Sequence, residues 1–202
     1  MSSSSDNKEA IYAPSPKNGP LRQCEIVSDF VEPWVVPGSM GNPEAVPEIK
    51  PKLHPYAVIL SQDCDLELDF LARGEGSVKP DKLLPSVLFC EAYGLEELVD
   101  VNRIKESGIY QRVVQNKDER YHFLQEVTSG EDSMGKGLPN LGIDFKRYFT
   151  VPTEEVYEQF SNGTGVRRCY LCSPYLEHLS TRFCYYQFRI ALPENHALPR
   201  KM

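Results

Sequence analysis

The pattern of apolar and polar positions predicts several strands joined by short helices along most of the chain. Two uninterrupted apolar runs, at 56–60 and 84–93, have the length and residue types of buried strands. Shorter apolar stretches predict further strands at 24–36, 120–127, 141–151 and 166–172. A sheet of five or six strands is therefore expected.

Apolar residues at helical spacing predict helices at three places. A helix is expected over 95–104, and a short one over 153–160, where Thr153 can cap the first turn. The third is the clearest, because its apolar residues recur three and four positions apart before Pro193 ends it: Leu176, Leu179, Phe183, Tyr186 and Ile190. The segment 110–114 fits either a second helix or the start of a strand, and 37–52 and 66–80 are expected to be irregular.

These elements predict an α+β protein with a curved, mostly antiparallel sheet or an SH3-like open barrel, packed by a long C-terminal helix. One globular domain is expected over 21–193. The first 20 residues are rich in Ser, Asn, Pro and Lys, so a disordered N-terminal tail is expected there, with a flexible tail over 194–202.

Composition narrows the classes of function. The chain has 202 residues and a formal net charge of −7, which disfavours extensive nucleic-acid binding while leaving a local basic patch open. No apolar run reaches the ~18–20 residues that span a bilayer, and the N-terminus lacks the pattern of a secretory signal. A cytoplasmic location with reduced cysteines and no membrane association is therefore expected.

The segment ILSQDCDL is the first candidate site, because an apolar strand runs directly into polar residues. Gln62 and Asp65 could orient a polar ligand, with Asp63 beside them and Cys64 in the pocket wall. Neighbouring aspartates disfavour a thiolate at Cys64 unless His54, His122 or an arginine folds over it. The alternative is an Asx-type turn in which Cys64 packs as a small apolar residue.

A C-x-x-C pair, Cys169 and Cys172, is the second candidate. Zinc could be held by this pair together with His178 and Cys184. However, alternation along a strand would send the two cysteines to opposite faces. A structural role is therefore favoured, and no metal or cofactor is expected.

Two further residues stand out in predicted strands. Asp144 could be an inward carboxylate paired with Arg167, Arg168 or Arg189, which favours a structural role. His122, between two aromatic residues, is either a general base or a packed, hydrogen-bonded histidine.

The chain resembles a group of uncharacterised bacterial proteins in two places. ILSQDCDL resembles their Ser/Thr-Gln-x-Cys-Asp segment, and RYHFLQEV, GIDFKRYFTV and CYLCSPYLEHLSTRFCYYQFRIALP resemble their C-terminal part. The resemblance implies a shared centre formed by Gln62, Cys64, Asp65 and Asp144. A fainter similarity, around Leu60-Ser61, is to the SH3-like barrels of PemK/MazF-type ribonuclease toxins, which are shorter and more basic at their site, so it implies fold only.

Three hypotheses of function follow. The first is an accessory protein whose pocket near 61–65 binds a ligand, which would be a nucleotide or RNA if Arg112, Arg120 or Arg147 gathers beside it. The second is an enzyme, either a cysteine-dependent hydrolase using Cys64 and His122 or a metal-dependent nuclease using Asp63, Asp65 and Asp144. The third is an interaction partner of a protein encoded nearby, in a toxin–antitoxin or phage-defence operon.

Overall fold

Seven antiparallel strands form one open, curved sheet in the computed structural model, which describes residues 10–41, 46–76, 79–102, 104 and 108–188. The strands are β1 (Tyr12–Pro14), β2 (Glu25–Val35), β3 (Ile49–Ile59), β4 (Ser86–Gly94), β5 (Tyr121–Leu124), β6 (Leu141–Pro152) and β7 (Val166–Leu171). Their order across the sheet is β1-β7-β2-β3-β4-β6-β5. The expected α+β class with a curved antiparallel sheet is confirmed.

Within the part of the chain that the structure describes, five helices connect and cover the strands. They are α1 (Asp63–Gly74), α2 (Leu95–Val101), α3 (Ile109–Val114), α4 (Thr153–Asn162) and α5 (Tyr175–Gln187). The segment 110–114 is thus helical rather than extended. The predicted stop at Pro193 lies outside the described residues. No described helix has the length and apolar character needed to cross a membrane.

Alternation along the central strands creates an apolar core on each face of the sheet. Val58 in β3 and Cys90 in β4 belong to the cluster that Leu179 of α5 covers. Ala57 and Ile59 in β3 and Phe89 in β4 point into the other cluster, which Leu66 of α1 and Val156 of α4 cover. The sheet therefore lies between α5 on one side and α1 with α4 on the other.

Strands β2 and β3 pair along most of their length, which corrects the last four residues of the irregular loop expected over 37–52. Residues 49–52 continue β3 and lie opposite residues 32–35 of β2. Hydrogen-bonded and non-hydrogen-bonded residue pairs alternate along β2 and β3, counted from the hydrogen bond of the Val36 amide to the Glu48 carbonyl. Pro33 lies opposite Pro51 in a non-hydrogen-bonded pair, where neither residue has to donate an amide hydrogen. The prolines are therefore compatible with the ladder, and the pairing places Glu32 opposite Lys52.

Two other expectations are corrected. Residues 63–74 form α1 rather than a polar excursion, and this helix buries Leu66, Asp69 and Ala72. The disordered tail expected over 1–20 is corrected at 12–14, which form β1 and pair with β7, and the buried Tyr12 donates a hydrogen bond to the Gln125 carbonyl. Residues 1–9 and the expected tail at 194–202 lie outside the described residues.

A wide bulge in β6 shapes the surface beside β4. Ala92 pairs with Ile143, but Cys90 two positions earlier pairs with Tyr148 five positions later, so β6 carries three extra residues there. The bulge places Arg147 3.5 Å from Glu91 of β4 and 3.5 Å from the buried Asp144. Arg147 is thereby added to the ionisable residues that β2, β3 and β4 carry beside Glu91.

Candidate functional site

The residues predicted around Cys64 lie at the start of α1. Cys64 is exposed, and its Sγ lies 3.6 Å from Gln62 Oε1 and 3.8 Å from Asp65 Oδ1. Asp63 accepts two hydrogen bonds from the Arg22 guanidinium, at 3.0 and 3.1 Å, and a third from the Gln23 amide. Asp63 therefore anchors α1 to the segment before β2, while Gln62, Cys64 and Asp65 face solvent.

The other predicted residues lie elsewhere on the sheet. His122 is in β5, three strands from β3, which corresponds to about 14 Å. Asp144 lies in β6, which is two strands from β3. The end of β3 that precedes Cys64 lies beside the part of β6 that contains Thr150, and not beside Asp144. The structure therefore does not bring Cys64, His122 and Asp144 together, and a pocket around 61–65 stays a prediction.

Alkylation of the cysteines tests whether Cys64 is an activated nucleophile. We expect iodoacetamide at neutral pH to modify the exposed Cys64 and Cys184 at similar rates, because neither is shielded. Cys24 and Cys169 should stay unmodified, since burial raises the pKa of each thiol to about 12. Peptide mass spectrometry would measure the rates, and a Cys64 rate about tenfold above that of Cys184 would contradict a merely exposed thiol.

Asp144 is fully buried in β6 and paired, as its strand context predicts, but with different arginines. Arg120 donates two hydrogen bonds to its carboxylate, at 2.7 and 2.5 Å, and Arg147 Nε lies at 3.5 Å. The expected partners Arg167 and Arg168 instead pair with Glu25 and Asp132, and Arg189 lies outside the described residues. Arg120 and Arg147 thus gather beside Asp144 rather than near 61–65.

His122 is a buried, packed residue of β5. Its ring lies 6.1 Å from that of Phe145 and 5.4 Å from that of His178, measured between centroids. Nδ1 has no hydrogen-bond partner among the described residues. Burial, with the nearby charge of Arg182, lowers the pKa of His122 to about 3, so the ring is neutral at pH 7.

This lowered pKa predicts an acid-sensitive fold. As the pH falls below ~6.5, His122 gains a proton in the unfolded chain but not in the folded one, so stability is lost between pH 6.5 and about 3. We expect His122→Phe to recover about 2 kcal/mol of the stability that the wild type loses between pH 7.5 and 5. Urea unfolding at both pH values measures this, with Tyr185→Phe at an exposed position of α5 as control, and equal losses in His122→Phe and wild type would contradict it.

The C-x-x-C pair does not form a metal centre within the described part of the chain. Cys169 is buried in β7, Cys172 is half-buried after it, and Cys184 is exposed on α5. The group of potential metal ligands that the described residues do form consists of Glu32, His54 and Glu91.

Three adjacent strands bring this Glu–His–Glu centre together. Glu32 lies in β2, His54 in β3 and Glu91 in β4, and each is less than 9% exposed. His54 Nε2 is 2.9 Å from Glu32 Oε2, and Nδ1 is 3.4 Å from Glu91 Oε1. One ligand atom from each residue lies within 4.8 Å of the other two.

Lys52 supplies a positive charge between the two carboxylates of the Glu–His–Glu centre. Its Nζ lies 2.5 Å from Glu91 Oε1 and 3.3 Å from Glu32 Oε2. The ammonium also lies 5.0 Å from the ring centroid of Trp34, at the solvent edge. Because Lys52 is 40% exposed and has a flexible stem, it can leave the carboxylates without a change in the backbone.

Glu91 has further partners on the opposite side. Tyr93 donates a hydrogen bond to Oε2, and Arg147 lies 3.5 Å from the same oxygen. Burial alone would raise the pKa of Glu91, but the hydrogen bonds from Lys52 and Tyr93 outweigh it, and the pKa lies below its usual value. Glu91 is therefore a carboxylate at neutral pH, available as a ligand.

His54 has more acceptors around it than a neutral ring can satisfy. Burial lowers the pKa of His54, although the hydrogen bond with Glu32 opposes this. A neutral imidazole carries one N–H, so it can donate to only one of the two carboxylates. The other nitrogen then presents a lone pair beside a carboxylate oxygen, an arrangement that a shared cation stabilises.

A row of aromatic rings holds His54 in place. His54 stacks on Phe149 with 4.1 Å between centroids and an interplanar angle of 7°. Phe149 stacks on Phe89, and Phe89 on Phe30, within the core cluster under α1 and α4. The imidazole is thus fixed by packing on a rigid sheet, which favours an ordered site.

The donor set fits a divalent cation. Two carboxylates and one imidazole suit Mn²⁺, Fe²⁺ or Zn²⁺, and bonds of about 2.0–2.2 Å require the ligand atoms to lie within about 4.4 Å of one another. The observed limit of 4.8 Å exceeds that by a few tenths of an ångström, within reach of small side-chain rotations. Three protein ligands would leave positions for water and substrate.

Sequence reasoning missed Glu32 and Glu91 and named His54 only as a possible neighbour of Cys64. A signal was nevertheless present, because Glu91 interrupts the apolar run SVLFCEAY. A charge in the middle of a central strand must be paired or functional when it is buried. Comparison of the chain with protein-family models, with curated proteins and with solved structures gave no match.

Proposed function

We propose that the protein is a divalent-metal-dependent hydrolase of phosphorylated substrates, with the metal held by Glu32, His54 and Glu91. One observation carries this proposal: three buried ligand atoms from adjacent strands lie within 4.8 Å of one another, around a histidine that faces two carboxylates. Lys52 occupies the position between those carboxylates as an internal cation.

The chemistry follows from the ligand set. A metal held by Glu32, His54 and Glu91 would lower the pKa of a water molecule and would polarise a phosphoryl oxygen. Glu32 and Glu91 provide the negative charge that retains the cation, and the stacking on Phe149 orients His54. In this account a nuclease-type reaction uses the Glu–His–Glu centre rather than Asp63, Asp65 and Asp144.

The surroundings favour an anionic substrate. Arg147 is 42% exposed and lies 3.5 Å from Glu91, so its guanidinium can contact a phosphate beside the metal. The displaced Lys52 would add a second cation at the same edge. Trp34, 42% exposed beside Lys52, offers a ring on which a base can stack, which favours a nucleotide or single-stranded RNA.

Phosphodiester hydrolysis tests the proposal. The purified protein would be assayed with bis(p-nitrophenyl) phosphate and a single-stranded RNA oligonucleotide, with Mn²⁺ or with EDTA. We expect Mn²⁺-dependent cleavage that Glu91→Gln removes and that the control Glu48→Gln retains, because Glu48 is exposed and pairs with the exposed Lys50. No cleavage of either substrate, or equal cleavage by Glu91→Gln and wild type, would contradict the proposal.

A further inference from the structure

One face of the ribbon that β2 and β3 form is apolar and exposed to solvent. The ribbon comprises residues 31–35 of β2 and 49–53 of β3, and its side chains alternate between two faces. Glu32, Trp34 and Lys52 lie on the face of the Glu–His–Glu centre. The opposite face consists of three cross-strand pairs of apolar residues: Val31 with Leu53, Pro33 with Pro51, and Val35 with Ile49.

The described part of the chain leaves this apolar face uncovered. Leu53 is 60% exposed, Ile49 62% and Val35 40%, and both prolines are exposed. Within the sheet, β4 pairs with β3 at 56–59 and β7 pairs with β2 at 25–28, so the ribbon extends beyond its neighbouring strands. A two-stranded ribbon is marginally stable by itself, and an exposed apolar face is typical of a contact with another molecule.

The edges of the ribbon disfavour the addition of a further strand. In the non-hydrogen-bonded pair of Pro33 and Pro51 the backbone groups point outward, and proline supplies no N–H there. The amide and the carbonyl of Val31 are occupied by the side chain of Gln159, at 2.9 and 2.8 Å. A partner therefore contacts the side chains of the apolar face instead of extending the sheet.

We propose that this apolar face binds the same face of a second copy of the chain, in a twofold dimer. The face has no charged side chain, so it suits a surface that is equally apolar. Its proline pair lies between two aliphatic pairs, so a twofold axis at the level of the prolines brings aliphatic residues against aliphatic residues. Such a contact is self-complementary, and twofold dimers are the commonest oligomers.

Charge also favours a second copy at this surface. The chain carries a formal net charge of −7, so two copies repel each other overall. Residues 31–41 and 46–53, however, contain two glutamates and two lysines, so their charges sum to zero. Repulsion between copies is therefore weak where they meet through the ribbon, and the surface does not select a strongly acidic or basic partner.

The contact is small, so the dimer is expected to be weak. Met40 and Val46, at the end of the ribbon, are 69% and 92% exposed and add to the apolar surface. Even with them the surface is far below the roughly 20–30 residues a side of a standard interface. We expect a dissociation constant on the order of 10–100 µM.

Sedimentation velocity of the full chain between about 2 and 300 µM tests the proposal. We expect monomer at the low end and mostly dimer at the high end. Leu53→Lys should weaken association at least about tenfold, because each dimer would bury two unpaired ammonium groups. Ile49→Lys, at an equally exposed position of the same face, should have the same effect.

Leu71→Lys is the matched control, because Leu71 is a 54%-exposed leucine on α1 and its variant should associate like the wild type. Near-ultraviolet circular dichroism confirms that each variant keeps its tertiary packing. The Glu–His–Glu centre lies on the other face of the ribbon, so association and metal binding succeed or fail separately.

A wild type that stays monomeric at about 300 µM would overturn the proposal. A dimer that Leu53→Lys and Ile49→Lys leave intact, or that Leu71→Lys weakens equally, would also overturn it. Flotation of a monomeric wild type with phosphatidylcholine vesicles would assign the apolar face to a lipid surface and would contradict the dimer.

Discussion

Replacing Lys52 by methionine is expected to tighten the binding of Mn²⁺ or Zn²⁺ by about tenfold to a hundredfold. In the wild type the ammonium lies 2.5 Å from Glu91 and 3.3 Å from Glu32, so a metal must displace it. A hydrogen bond to a charged group contributes about 1.5–3 kcal/mol, and removing the competitor returns that energy to the metal. Isothermal titration calorimetry on the metal-free variant measures the change.

The same substitution should make stability depend on the metal. Without Lys52, the buried carboxylates of Glu32 and Glu91 lose their bridging charge, so the metal-free variant should unfold more readily than the wild type. Saturating Mn²⁺ should restore its midpoint of unfolding. Lys50→Met is the control, because Lys50 is exposed and pairs with the exposed Glu48. If Lys52→Met binds the metal no more tightly than the wild type does, Lys52 does not compete with the metal for the two carboxylates.

Replacing Asp132 by alanine is expected to lower the free energy of unfolding by about 3–5 kcal/mol, the cost of breaking a buried ion pair from one side. Arg168 donates two hydrogen bonds of 2.8 Å to this fully buried carboxylate. The amides of Met134, Lys136 and Gly137 donate to it as well. Alanine would leave a buried guanidinium and three amides without their acceptor.

Urea unfolding at pH 7 measures this loss, with Glu126→Ala at an exposed position of the same region as control. Burial opposes ionisation of Asp132, but Arg168 and the backbone amides hold its pKa at about 2. The stabilisation is therefore present above the usual pKa of ~3.9 and disappears as the pH falls toward 2. A loss below about 1 kcal/mol at pH 7 would contradict the role of Asp132 as the residue that anchors the loop containing Met134, Lys136 and Gly137.

Much of the sheet could be predicted because its central strands are buried on both faces. The continuous apolar runs at 56–60 and 84–93 lie within β3 and β4, and the apolar stripe of the last helix covers one core cluster through Leu179. Helix α1 was missed because its buried face includes a charge. Asp69 can be buried because it pairs with Arg73 and accepts a hydrogen bond from the Leu84 amide. A charged residue at a buried position interrupts the helical spacing of apolar residues from which a helix is predicted.

The candidate site could not be predicted, because it depends on strand register. Glu32, His54 and Glu91 are far apart in the chain and meet only because β2 pairs with β3 and β3 with β4 at particular positions. Asp144 shows the same limit: its strand context predicted a paired carboxylate, but the hairpin of β5 and β6 selected Arg120 as the partner. Local patterns identify which residues are unusual, whereas long-range pairing decides which of them meet.

Calorimetric titration of the metal-free wild-type protein with Mn²⁺ and Zn²⁺ tests whether Glu32, His54 and Glu91 bind a divalent metal. His54→Gln and the distant control His178→Gln are titrated alongside. We predict one metal per chain in the wild type and in His178→Gln, and an affinity at least about 100-fold lower in His54→Gln. Binding of less than about 0.1 metal per chain, or equal affinity in His54→Gln and the wild type, would contradict the claim.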